Sequence, residues 1–160
     1  MASARKHQYE TEVVWTGNLG TGTTSYRSYS RGHRVSAVGL PTILGSADRT
    51  FHGDAERWNP EQLLLAALSQ CHLLSYLHVC ALAGVVVTGY TDRAAGTMQE
   101  TGDGGGRFTG VVLRPSVEVA SPEMTEKALS LHQDAHRICF IANSVNFPVR
   151  HEPSVDVAGG

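Results

Sequence analysis

The chain has 160 residues, which fits one domain, predicted here to cover residues 1–160 with an ordered core from about 8 to about 157. Its 13 basic and 15 acidic residues give a net charge of −2 without any basic run, so the composition excludes an electrostatic nucleic-acid binder. The N-terminus lacks an apolar signal core and the chain has only three cysteines, which together predict a cytoplasmic protein with reduced thiols.

The N-terminal third of the chain predicts an antiparallel meander of three strands. Residues 8–15 alternate between polar and apolar, residues 24–31 form a tyrosine-rich strand pattern, and residues 34–38 form a third short strand. Residues 39–57 are interrupted by glycine and proline, which predicts an irregular loop ahead of a helix. Such a loop is a common place for residues that contact a substrate.

Residues 59–84 predict one long helix. Asn59 is a good N-cap, Pro60 suits the first helical position, and Glu61 places negative charge near the positive end of the helix dipole. Gly84 suits the left-handed residue that ends a helix. The helix is apolar on all sides, yet its polar residues break any run of membrane length, so we predict burial and no membrane span. A second subunit is expected to cover the apolar sides of this helix that one chain of this size cannot bury by itself.

The remainder of the chain predicts strands around a second helix. Residues 85–99 and 108–119 have strand patterns on either side of a glycine-rich turn. Ser121 begins a helix that ends before Cys139, and residues 146–157 predict an edge strand because they contain two prolines. The order of elements, with no alternation of strand and helix, predicts the α+β class with an antiparallel sheet.

The three cysteines differ in what their positions allow. Cys71 and Cys80 are nine residues apart on one predicted helix, about 13 Å along its axis, so they cannot form a disulfide with each other. Cys80 is therefore predicted to be a core residue. Cys139 could lie over Cys71 if the two helices pack together. By itself, Cys71 is interpreted equally well as a small core hydrophobe or as a reactive thiol.

A set of motifs carries a resemblance to a known family. Asn59-Pro60-Glu61 leads into a Leu/Ala helix with a central Cys71, and a second helix ends in His136-x-x-Cys139. This pattern resembles the OsmC/Ohr family of thiol-dependent peroxidases over about residues 8 to 157. The resemblance implies an OsmC-like fold, in which antiparallel sheets wrap around two central helices. It also implies an intertwined homodimer with active sites at the subunit interface.

The resemblance also implies roles for individual residues. Cys71 matches the peroxidatic cysteine, Cys139 the resolving cysteine, and Glu61 the family's glutamate. Arg27 is the best match for the family's arginine, with Arg31 as the alternative, and Glu61 could hold the arginine by a bidentate ion pair. The implied reaction is reduction of an organic hydroperoxide, with hydrogen peroxide as a further candidate, and it ends in a Cys71–Cys139 disulfide.

The same reaction implies which partners the protein has. An external dithiol would reduce the disulfide, no cofactor or metal is expected, and the role would lie in oxidative or osmotic stress defence. The chain resembles the broader OsmC-like branch more than Ohr itself. Phe140 stands where many members have proline, and Arg27 lies in a predicted strand where Ohr members have a glycine-rich loop.

Two other functions are kept as alternatives. One is a non-catalytic OsmC-like dimer that binds a small molecule in its cleft. The other is a zinc protein, because His132 and His136 have a metal-ligand spacing and could join Cys71 and Cys139. We prefer the redox interpretation, since a four-residue spacing arises easily by chance among eight histidines. The alternatives are separated by whether Cys71 reacts with a peroxide.

Overall fold

The computed structural model describes residues 4–159, which divide into two compact units after Leu63. The first unit contains a three-stranded sheet, and the second contains two three-stranded sheets and a second helix. The α+β class expected from the sequence is confirmed. The expected extent of a single domain over residues 1–160 stays a prediction.

The first unit is built on an antiparallel meander. Its strands are β1 (Glu12–Trp15), β2 (His33–Ser36) and β3 (Ile43–Gly45), paired in the order β1-β2-β3. A short 3₁₀ turn at Arg49–Phe51 follows, and the Asp48 side chain caps it by accepting from the Thr50 amide. A three-stranded meander is therefore present, as expected from the sequence.

The second strand of that meander was assigned to the wrong segment. Residues 24–31 form turns and bends, whereas β3 lies in the segment expected to be an irregular loop. Local side-chain hydrogen bonds explain the turns, because Asn18 Oδ1 accepts from two following glycine amides and the Ser28 hydroxyl oxygen accepts from the Ser25 amide. Such bonds compete with strand pairing, which the alternation of tyrosines does not reveal.

The long helix α1 (Pro60–Leu82) is bounded by the caps that the sequence predicts. The Gln62 amide donates to Asn59 Oδ1 at 2.8 Å, and the Asn59 amide donates to Gln62 Oε1 at 3.2 Å, which is a reciprocal capping box. At the other end, Gly84 has φ of 72° and the Val85 amide donates to the Cys80 carbonyl at 2.9 Å. These bonds form a Schellman motif, for which the left-handed glycine is suited.

By length and composition alone, α1 could cross a membrane. Core helices meet the same description, and Leu68, Tyr76 and Cys80 of α1 are buried within the protein. We therefore interpret α1 as a core helix.

The second unit contains one further helix and six strands. In chain order these are β4 (Val87–Asp92), β5 (Ala95–Glu100), β6 (Gly106–Leu113), β7 (Pro115–Val119), α2 (Thr125–Ile138), β8 (Val149–His151) and β9 (Ser154–Val157). One sheet has the order β4-β7-β9 and the other the order β5-β6-β8. The pairs β4/β7 and β5/β6 are antiparallel, whereas β6/β8 and β7/β9 are parallel.

The parallel pairs and the breaks within strands differ from the expectation of two long strands and one edge strand. The segments 85–99, 108–119 and 146–157 are each divided between the two sheets. At the break between β6 and β7, the Arg114 amide donates a hydrogen bond to Asp92 Oδ1 at 2.7 Å. This bond lies outside the strand ladders. The parallel pairing is possible because α2 supplies the long crossover that it requires. Both β8 and β9 lie at sheet edges, as predicted.

Two buried apolar clusters support the second unit. The larger one joins α1, α2 and the β4-β7-β9 sheet, and the smaller one places Leu68 of α1 against β6 and β8. Cys80 is 1% exposed within the larger cluster, which confirms its assignment as a core residue. The larger cluster consists of Tyr76, Cys80, Val85, Val117, Val119, Ala128, Leu131 and Ala135.

Candidate active site

Two of the three cysteines meet where α1 and α2 pack together. Cys71 lies in the middle of α1 and is half-buried, whereas Cys139 caps the C-terminus of α2 and is 1% exposed. The Cys139 thiol lies close enough to Cys71 for Cys71 to raise the pKa of Cys139, and both are free thiols. The two cysteines are therefore neighbours, which the sequence allowed if the two helices pack together.

The surroundings of Cys139 keep its sulfur protonated. Burial, followed by the hydrogen bond with Cys71, raises the pKa of the Cys139 thiol to about 11. Because the thiolate is the nucleophilic form of cysteine, Cys139 is a weak nucleophile at neutral pH. Cys71 is the more accessible sulfur of the pair. The site therefore combines an accessible sulfur with a buried, protonated one.

A buried pair of histidines joins the same two helices, His72 from α1 and His132 from α2. His72 Nε2 and His132 Nδ1 are 3.0 Å apart, and the two rings are within 11° of coplanar with centroids separated by 5.3 Å. The hydrogen bond therefore runs close to the common plane of the rings. The Tyr76 ring stacks on His132 at 3.9 Å, and its hydroxyl donates to the Ala128 carbonyl at 3.0 Å.

This histidine pair is held in its neutral form by burial. Burial, with smaller contributions from neighbouring histidines, lowers the pKa of His72 to about 4 and that of His132 to about 3. His151 packs beside His72 with ring centroids 5.5 Å apart, and His136 packs beside His151 at 5.2 Å. His72 is therefore a core histidine with one polar contact, to His132.

The zinc site drawn from the sequence is not assembled in this structure. His132 bonds to His72 on α1, not to His136 or to the cysteines. Within residues 4–159, no three histidine, cysteine or acidic side chains stand in an arrangement that could hold a metal ion. The His72–His132 bond joins residues 60 positions apart, so no local signal in the sequence could have found it.

The remaining predicted site residues lie in the first unit. A cleft of about 320 Å³ there is lined by both Arg31 and Glu61, whereas Arg27 is exposed on a turn outside it. Glu61 Oε2 is buried and has no hydrogen-bond partner among the described residues. The full lining is Trp15, Tyr29, Arg31, His33, Ser46, Ala47, Asp48, Phe51, Pro60 and Glu61.

The expected ion pair between Glu61 and the arginine is not formed. In residues 4–159 the ion pairs join Arg57 to Asp54, Arg114 to Glu152 and Arg137 to Asp134. Arg31 instead donates to the carbonyls of Tyr26 and Tyr29. The prediction that Arg27 lies in a strand was also wrong, because Arg27 lies in a turn.

Comparisons with known proteins agree with the fold. A family model described as OsmC-like protein matches residues 53–154, and a search of curated proteins gives no match. A solved OsmC-like protein of unknown function from Vibrio cholerae has a TM-score of 0.83 and 32% identity, covering 92% of this chain and 99% of that chain.

Two more distant structures carry functional names. An organic hydroperoxide resistance protein from Legionella pneumophila has a TM-score of 0.69 and 19% identity, covering 96% of this chain and 100% of that chain. A protein of the same name from Elizabethkingia anophelis has a TM-score of 0.64 and 19% identity, covering 96% and 99%. At this identity the two structures show the fold alone.

Proposed function

Because this chain belongs to the OsmC-like family, we propose that it is a cysteine-based peroxidase that reduces organic hydroperoxides. The observation that carries the proposal is the contact between Cys71 and Cys139, one sulfur accessible and the other buried. The names of the Legionella and Elizabethkingia structures point to the same substrate class. A role in oxidative or osmotic stress defence is part of the proposal.

In the first step, the Cys71 thiolate attacks the distal oxygen of the hydroperoxide. A sulfur–oxygen bond forms, the oxygen–oxygen bond breaks, and the alkoxide leaves and takes up a proton as an alcohol. Cys71 is left as a sulfenic acid. Because Cys139 is buried with a raised pKa, it stays protonated and does not compete for the peroxide.

In the second step, the Cys139 sulfur attacks the sulfur of the Cys71 sulfenic acid. A disulfide forms, the sulfur–oxygen bond breaks, and hydroxide leaves as water with the proton of the Cys139 thiol. An external dithiol then reduces the disulfide by exchange. The contact between the two cysteines means that only a small movement is needed for this step.

A guanidinium would stabilise the thiolate and the negative charge that develops on the leaving oxygen. We propose Arg31 for this role, with Arg27 as the alternative, because Arg31 and Glu61 line one cleft. Glu61 is proposed to accept a hydrogen bond from the hydroperoxide during the reaction, since Oε2 is otherwise unpartnered.

The test compares two cysteine variants that should differ in how much hydroperoxide they consume. Cys71→Ser should consume no hydroperoxide, because a hydroxyl is not a comparable nucleophile at neutral pH. Cys139→Ser should consume about one equivalent and then stop as a sulfenic or over-oxidised acid, because no thiol traps the intermediate. Peptide mass spectrometry of the wild type after one equivalent should find the Cys71–Cys139 disulfide.

The opposite result would support a different function. A folded wild type whose Cys71 stays reduced under excess organic hydroperoxide would contradict the peroxidase. It would favour the non-catalytic dimer that binds a small molecule, for which the cleft of about 320 Å³ would be the binding site.

A further inference from the structure

The side chain of Arg31 lies in a corner formed by two tyrosines. Its guanidinium carbon is 4.4 Å from the centroid of the Tyr26 ring and 4.2 Å from that of Tyr29. The two rings are 86° apart with centroids at 6.5 Å, so they contact the guanidinium from two directions. Contacts of this kind stabilise a cation on an aromatic ring.

The backbones of the same two tyrosines also hold the guanidinium. Arg31 Nη1 donates to the Tyr29 carbonyl at 2.8 Å, and Nη2 donates to the Tyr26 carbonyl at 2.7 Å. A guanidinium has five N–H donors, so three remain for other partners. No carboxylate within residues 4–159 forms an ion pair with Arg31.

The corner is itself supported from both sides. The Tyr29 ring packs edge-to-face on Trp15 of β1 at 5.9 Å, and Trp15 Nε1 donates to the Ser30 carbonyl at 2.9 Å. The Tyr26 ring packs against His52, next to the 3₁₀ turn, at 5.1 Å. The turn that carries the tyrosines is thus tied to the sheet and to the residue that follows the 3₁₀ turn.

We propose that Tyr26 and Tyr29 are positioning residues that hold Arg31 in the cleft, in place of an ion pair with Glu61. The inference rests on the proposed function, in which Arg31 stabilises charge during peroxide reduction. An arginine side chain is flexible, and fixing it before the substrate arrives removes an entropic cost from the reaction. The tyrosines also leave the guanidinium charge free, which a carboxylate partner would neutralise.

The test is a double-mutant cycle on hydroperoxide reduction. Tyr26→Leu and Tyr29→Leu together should lower kcat/KM about tenfold in the Arg31 protein and less than about twofold in an Arg31→Ala background. Phenylalanine at both positions should restore most of the rate, because its ring keeps the cation contact. Tyr9→Leu is the matched control, since Tyr9 is an exposed tyrosine of the same unit.

A second measurement does not depend on activity. Phenylglyoxal modification followed by peptide mass spectrometry should find Arg31 slower to react than the exposed Arg27, and the double leucine variant should bring Arg31 towards the rate of Arg27. Equal loss of kcat/KM in both backgrounds, or equal modification rates in the wild type, would overturn the proposal. A wild type that consumes no hydroperoxide would overturn the proposed function instead, while the modification rates would still decide whether the tyrosines hold Arg31.

Discussion

At the residue scale, the two sulfurs of the candidate site differ because their surroundings differ. Cys139 ends a helix and is enclosed by protein, so burial raises the pKa of its thiol to about 11. Cys71 lies on the half-buried side of α1 and remains accessible. In the proposed mechanism one sulfur attacks the peroxide and the other later attacks the sulfenic acid, and the difference in burial is consistent with these two roles.

The third cysteine gives a prediction at the same scale. Cys80→Ala should leave peroxide turnover nearly unchanged, because Cys80 lies in the apolar cluster nine residues further along α1. It should lower the free energy of unfolding by about 1 kcal/mol, since a small cavity replaces the buried sulfur. Steady-state kinetics and chemical denaturation measure the two effects. Loss of turnover in a folded Cys80→Ala protein would contradict the assignment of the reactive pair.

At the element scale, α1 and α2 are joined by polar bonds inside an apolar core. The His72–His132 bond and the bond from Tyr76 to the Ala128 carbonyl have specific geometry, which apolar packing lacks. A buried polar group is costly unless its partner is in place, so such bonds fix one register between two helices. The same register determines that Cys139 meets Cys71.

The histidine pair predicts how stability depends on pH. An unfolded histidine binds a proton near its usual pKa of 6.5, whereas His72 and His132 in the folded protein stay neutral down to about 4 and 3. At pH values between the unfolded and the folded pKa, the unfolded chain binds more protons than the folded protein, so acidification lowers the free energy of unfolding. The loss should approach 1.4 kcal/mol per pH unit for each histidine, and it should be absent above about pH 7.

Denaturant unfolding at pH 7, 6 and 5 tests this dependence. The double variant His72→Phe/His132→Phe removes both partners and should lose stability less steeply on acidification than the wild type. His78→Gln is the matched control, because His78 is an exposed histidine of the same helix α1. An unchanged slope in the double variant would show that other groups cause the acid sensitivity.

At the scale of the whole molecule, several large apolar side chains of the second unit remain exposed. Leu74 on α1 is 64% exposed, Leu82 at its end is 76% exposed, and Phe140 beside Cys139 is 75% exposed. Exposed apolar area of this kind marks protein–protein contact sites. It agrees with the homodimer that the family resemblance implies, and we propose that a second copy of the chain covers α1.

An obligate dimer should therefore be found by sedimentation velocity at micromolar concentration, with an interface of roughly 2,000 Å² or more. Leu74→Asp should shift the protein towards monomer, because it places a charge on the apolar surface. Gln99→Glu, which places a charge at an exposed polar position of β5 and not on α1, is the control and should stay dimeric. A wild type that sediments as a stable monomer would contradict the prediction.

The sequence by itself determined the features that depend on neighbouring residues. The ends of α1 follow from Asn59, Pro60 and Gly84, since capping involves groups within one helical turn. The separation of Cys71 from Cys80 follows from helix geometry alone. The α+β class follows from the order of apolar patterns, and the pairing of Cys71 with Cys139 was a conditional expectation that needed the two helices to pack.

Only the tertiary structure decided features that join distant parts of the chain. These include the parallel pairs β6/β8 and β7/β9, the division of long strand patterns between two sheets, and the bond between His72 and His132. That Arg31, and not Arg27, lines the cleft that Glu61 also lines was decided in the same way. The physical reason is that strand pairing and buried hydrogen bonds depend on which groups meet in space, whereas hydrophobic periodicity records only which side of each element is buried.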